Sequence, residues 1–117
     1  MIEPIRPLVV CLCGSMRFEE QMREAARVES IAGRIVVGPM VNMKHPHPLW
    51  DDSADVERIK TDLDALHKRK IDLADEILVV SDETGYVGDS TRSEIEYART
   101  LGKPVRELRL PASAVAR

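Results

Sequence analysis

Pro7-Leu8-Val9-Val10-Cys11-Leu12-Cys13-Gly14-Ser15-Met16-Arg17 is the stretch on which the fold turns. From Leu8 to Leu12 the apolar residues follow one another without polar alternation, between Pro7 and Gly14. Such a run reads as a strand buried on both faces, as strands of a parallel sheet are. The pattern recurs at Ile35-Val36-Val37, closed by Gly38-Pro39, at Glu76-Ile77-Leu78-Val79-Val80, and more weakly at Pro104-Val105-Arg106-Glu107-Leu108.

The intervening stretches read as helices. Phe18 to Ala32 is rich in Glu, Arg and Ala and stops at Gly33. Ser53 is placed to cap a long helix through Leu73, with Val56, Ile59, Leu63 and Leu66 as its apolar stripe. Ser90 or Thr91 opens a third helix to Leu101, which Gly102-Lys103-Pro104 ends. Strand and helix alternate, so right-handed crossovers predict a flavodoxin-like three-layer α/β/α domain with a parallel sheet in the order 2-1-3-4. Residues 1–108 make up that domain, and 109–117 are expected to be a loose tail.

Composition narrows the function. The chain has 117 residues, enough for one domain, and its 17 Lys+Arg against 20 Asp+Glu give a net charge of −3. A nucleic-acid polymer or an anionic membrane calls for a basic excess instead. No apolar run approaches the roughly 18 residues of a membrane span, and Met1-Ile2-Glu3-Pro4 does not begin a signal peptide. Cys11 and Cys13 are too close in sequence for an ordinary disulfide. A reducing, cytoplasmic setting is expected.

With strand order 2-1-3-4, ligands belong at the carboxyl ends of strands 1 and 3. Gly14-Ser15-Met16-Arg17 lies there, a small-residue turn whose N–H groups, Ser15 hydroxyl and Arg17 suit a phosphate. A plain strand-to-helix turn with Arg17 in solvent fits the same residues. Opposite it runs Asp82 to Glu94, with Tyr86, Gly88, Asp89 and Ser90 on the way. Glu94 is expected in the first turn of helix 3, where the helix dipole keeps a carboxylate charged and fit for nucleophilic attack. Thr91-Arg92-Ser93-Glu94 also reads as a T-x-x-E capping box, which needs Glu94 only to start the helix. Phe18, Trp50 and Tyr86 follow strands 1, 2 and 3, where aromatic faces either stack a base or cover the core edge.

At Cys13-Gly14-Ser15-Met16-Arg17 and Ser90-Thr91-Arg92-Ser93-Glu94-Ile95-Glu96-Tyr97-Ala98 the chain resembles the nucleoside 2-deoxyribosyltransferase superfamily, nearest to its nucleoside 5′-monophosphate N-glycosidase branch. Ala74-Asp75-Glu76-Ile77-Leu78-Val79-Val80 and Leu101-Gly102-Lys103-Pro104-Val105 match it too, and the likeness spans residues 8 to 108. The resemblance implies cleavage or transfer at the N-glycosidic bond of a nucleoside or its 5′-monophosphate. Glu94 would be the nucleophile, Asp89 the group that protonates the base or orients the sugar, and His67 a sugar contact. Gly14, Ser15, Met16 and Arg17, with Gly88 and Ser90, would surround the 5′ end, and Tyr86 and Trp50 the base. No metal or organic cofactor is implied, and a homodimer or larger assembly is. The chain departs from the family at Glu96, where Gly is usual, at His67, where an Asp is usual, and at Asp89, one position closer to the nucleophile.

Other readings attach to the same residues. Cys11 and Arg17 have the C-x5-R spacing of a Cys-dependent phosphatase loop, although Phe18 stands where such enzymes need Ser or Thr. His45-Pro46-His47 near Asp51 and Asp52 lacks regular metal-ligand spacing and reads as a loop. Lys68-Arg69-Lys70 reads as the solvated end of helix 2. Glu96 and His67 together leave open a nucleotide-binding module without turnover.

Overall fold

The computed structural model describes residues 6–52 and 54–115. Four parallel strands, β1 (Val9–Cys13), β2 (Ile35–Val37), β3 (Glu76–Ser81) and β4 (Val105–Arg109), form one sheet in the order β2-β1-β3-β4. Three helices, α1 (Glu19–Ile31), α2 (Val56–Leu73) and α3 (Asp89–Thr100), make the crossovers. This is a small flavodoxin-like α/β fold, as the apolar runs predict.

The register follows from which strands are buried. Cys11 sits between Val37 of β2 and Ile77 of β3, and Ile77 in turn pairs with Val105. The central β1 and β3 are buried almost throughout, while β2 and β4 are half-covered edges. Alternation along β1 splits the core into two layers. Val10 and Leu12 pack with Leu78, Val80, Met22 and Ala25 on the α1 side. Cys11 and Cys13 pack with Ile77, Val79, Ile71, Ala74 and Ala98 beneath α2 and α3. Ile71 and Ile77 are fully buried, and each such side chain contributes about 1.5–3 kcal/mol.

Polar contacts fasten the sheet's lower end. Asp75 accepts from the Val9 N–H at 2.7 Å and from the Arg6 guanidinium at 2.6 and 2.7 Å, tying β1 to the start of β3. Lys103 Nζ donates to the carbonyls of Ile71, Asp72 and Ala74, a cation on the C-terminal end of α2. Gly102, at φ +70°, supplies the left-handed turn that stops α3.

Several expectations change. Ser53 lies outside the described residues; Asp55 precedes α2 and makes no side-chain cap bond. The stripe Val56, Ile59, Leu63 and Leu66 is not core: these residues are half-covered or exposed, and α2 is buried only at His67 and Ile71. Arg109 does not begin a loose tail. It pairs with Ser81 as the last residue of β4, the Leu110 N–H donates to the Ser81 carbonyl, and Ala112–Ala114 form a 3-10 turn.

Candidate functional site

The carboxyl ends of β1 and β3 open into a cavity of about 570 Å³. Its walls come from the turn after β1 (Gly14 to Met16), the segment after β2 (Pro39 to Lys44), the inner side of α2 and the start of α3. Gly14 lets the first wall approach the sheet: a Cβ there would lie 2.4 Å from the Val80 carbonyl oxygen and 2.9 Å from Met22 Cε. Ser15 caps a 3-10 turn over Met16–Phe18, its hydroxyl accepting from the Arg17 N–H at 3.3 Å. The α-helix itself begins only at Glu19, with Glu19 and Glu20 in its first turn.

Of the residues singled out in the sequence, Gly14, Ser15, Met16, His67, Gly88, Asp89, Ser90 and Glu94 line this cavity together. Arg17, Tyr86 and Trp50 do not. The Arg17 guanidinium lies 4.0 Å from the centre of the Tyr86 ring, and Tyr86 meets Phe18 edge-on. Trp50 stacks on His47 and donates from Nε1 to the His45 carbonyl, which organises its own loop. His45 Nε2 lies 3.0 Å from Glu19. Glu96 is exposed and lies off the cavity, so the charge it brings does not crowd the site.

Glu94 differs from both of its expected roles as a helix-start residue. Gly88 is the N-cap of α3, Asp89 its first residue, and no side chain caps it. Thr91 is therefore already inside the helix and buried, and Glu94 falls in the second turn, facing inward with Thr91 and Ala98. The capping box does not form. Beyond the first turn the dipole has little hold on the carboxylate, and burial dominates. Burial pushes the Glu94 carboxyl up to about 7; His67 opposes this, and the charges on Cys11 and Asp64 add to it.

His67 is the centre of a small buried cluster. Its Nε2 lies 3.4 Å from Cys13 Sγ, 3.7 Å from Cys11 Sγ and 3.7 Å from Glu94 Oε1. Burial, the largest influence, lowers the imidazole pKa, but the hydrogen bond to Cys11 and the charges on Glu94 and Cys11 leave it raised. The Cys13 thiol bonding to Cys11 lowers the Cys11 pKa despite burial, and the same contact together with burial raises Cys13. His67 Nδ1 and Glu94 Oε2 are buried with no hydrogen-bond partner among the described residues. Cys11 sits inside β1 rather than in a loop, and Arg17 is held on Tyr86. The C-x5-R spacing therefore does not build a phosphate cradle here.

Asp89 is at the cavity rim, its carboxylate wholly exposed and 3.3 Å from Arg92 on the same helix. Lys44, Lys60 and Asp64, which the sequence reading did not single out, also line the cavity, and so does Lys70, which is half-buried with its Nζ donating to the Gly38 carbonyl rather than a solvated helix end. For two of them a signal existed: Lys60 and Asp64 follow helical spacing and so share a face of α2 with His67. The cavity thus offers one buried carboxyl, a ring nitrogen, lysines and an apolar wall of Met40, Leu63 and Leu66. Set against known proteins, the chain matches no family model, and no curated protein is significantly similar to it.

Proposed function

We propose that the cavity binds a nucleoside or nucleoside 5′-monophosphate and that Glu94 opens its N-glycosidic bond. The observation that carries this reading is a buried carboxyl with an unpartnered oxygen on the wall of a cavity of nucleoside-accommodating size. A glutamate held this way is poised to form a covalent bond at a carbon that develops positive charge. In the proposed step Glu94 bonds to C1′ as the C1′–N bond breaks, and the bond's electron pair leaves with the base. The base takes a proton from the rim, where Asp89 is the nearest carboxyl of α3 to solvent. Water then attacks C1′ and restores the carboxylate in a hydrolase, or a second base does so in a transferase.

The Ser15–Met16 turn suits the 5′ end, with Lys44, Lys60 and Lys70 as further cations for a phosphate. Arg17 joins them only by leaving Tyr86. A cytoplasmic setting belongs to the same proposal: both thiols are free and buried. Among the described residues, no helix is long and apolar enough to cross a membrane.

The full exposure of Asp89 favours a second reading, a nucleotide-binding module without turnover. Incubation with a panel of nucleosides and 5′-monophosphates, read by chromatography for free base, separates the two. Release of base from any member supports the glycosidase. Saturable binding with no free base leaves the binding module.

A further inference from the structure

We propose that Cys11, Cys13 and His67 form a three-ligand site for a tetrahedral divalent cation of the Zn(II) class, its fourth position left to water on the side of the cavity. Three acidic or potentially anionic groups, two thiols and a carboxyl, converge on one ring nitrogen. That nitrogen carries one proton or one lone pair, so as a hydrogen-bonding partner it serves one of them well. A cation placed between the two sulfurs and the nitrogen serves those three at once.

The distances agree with this. With Zn–S of about 2.3 Å and Zn–N of about 2.0–2.1 Å, the S···N edge of a tetrahedron is about 3.6 Å. The observed edges are 3.4 and 3.7 Å. The two sulfurs and the ring nitrogen all lie within 4.8 Å of one another. Two residues apart on β1, the cysteines point to the same face by strand alternation, under the helix that carries His67. Glu94, nine-tenths buried, keeps one oxygen unpartnered and the other 3.7 Å from Nε2.

Thiolates with an imidazole select a borderline-soft ion over Mg(II) or Ca(II), which take oxygen ligands. His67 and Glu94 both line the cavity, so an ion reaches the thiols from that side. On binding, the ion replaces the thiol protons, which pass to solvent.

The experiment uses the intact chain under a reductant that does not bind metal. Co(II) is added, followed by Zn(II). The expected result is a sulfur-to-Co(II) charge-transfer absorption saturating at one ion per chain and erased by Zn(II), with a Zn(II)-dependent rise in melting temperature. Cys13→Ser should abolish the sulfur band or cut it sharply, and His67→Gln should weaken Zn(II) binding by on the order of 100-fold. Wild-type protein with no sulfur band, or a band unaltered in His67→Gln, overturns the site. The wild-type spectrum decides even where a variant fails to fold. None of these readouts involves base release, so failure here is distinct from failure of the glycosidase reading.

Discussion

For Glu94 the two roles compatible with its place in the sequence, helix cap and nucleophile, part at the amide. The structure removes the cap, because α3 starts at Gly88-Asp89 and leaves Glu94 in the second turn. Glu94→Gln should therefore keep the fold, and its melting temperature should equal or exceed the wild type's, since an amide buries without the penalty of a charge. Base release should fall by several orders of magnitude, because Gln cannot bond to C1′. Wild-type turnover in a normally melting Glu94→Gln protein would sink the nucleophile assignment. Arg17 admits a similar separation. If it swings from Tyr86 to a 5′-phosphate, the charge-assisted contact contributes on the order of 1.5–3 kcal/mol. Arg17→Ala should then weaken monophosphate binding roughly ten- to a hundred-fold and leave nucleoside binding nearly unchanged. Calorimetry with both ligands checks this; equal losses would mean that Arg17 only supports Tyr86. At this scale the sequence was partly legible. Thr91 and Glu94 have capping-box spacing, and nothing local says that the helix begins two residues before Thr91. Packing of α3 on the sheet, which the local sequence does not show, turns Glu94 inward with Thr91 and Ala98.

Elements were more legible than residues, for reasons visible in particular runs. Val9–Cys13 and Glu76–Ser81 are continuous apolar strands because helices cover both their faces. The Gly-Lys-Pro stop after α3 works as the sequence implies, and Lys103 within it also reaches the last carbonyls of α2. That second task depends on tertiary contact, as does the inward face of α2. Its apolar stripe marks one side, yet His67 and Ile71 are the residues the sheet buries. Helix phase against a sheet is set by packing, and a polar histidine at a core position gives no hydrophobic signal. The pairing of β1 with β3 hangs partly on Asp75. Arg6, then the Val9 N–H, hold its carboxyl down to about 2. Its pKa is depressed in the fold, so its stabilisation is present above the ordinary value near 4 and is lost as pH falls toward 2. Asp75→Asn should melt below wild type at pH 7, and the gap should close between pH 4 and pH 2. Thermal melts across that range test the point, and a gap independent of pH would assign the effect to shape instead.

As a whole the molecule is longer than its chain length requires. Its radius of gyration is 15.1 Å, with extents of 56 × 32 × 24 Å, against about 13–14 Å for a compact domain of this size. From Pro39 to Leu66 no described residue is buried, and Met40, Leu49 and Leu66 are exposed. A long half-covered helix beside the cavity is what a second copy would cover. A homodimer or larger assembly through the α2 face is expected, and light scattering at micromolar concentration should show it; Leu66→Glu should shift it toward monomer. A clean wild-type monomer would remove this claim. The sequence carried the apolar residues of this arm but not their exposure, because spacing alone does not say whether a stripe meets its own core or another chain. The same arm has a consequence for how the cavity behaves in time. Pro39 to Lys44 and the side of α2 from Lys60 to Leu66 are one wall of the cavity, yet the sheet gives that wall few anchors. Segments held this lightly open locally at a free energy well below global unfolding. Amide hydrogens of α2 from Val56 to Leu66 should thus exchange much faster than those of β1 and β3, and a bound nucleotide should slow them selectively. Hydrogen-exchange mass spectrometry with and without ligand reads both effects, and uniform protection would rule the hinged wall out. Part of any ligand's affinity is then spent on stilling the wall it leans on, so a tighter-closing arm would trade faster release for stronger capture.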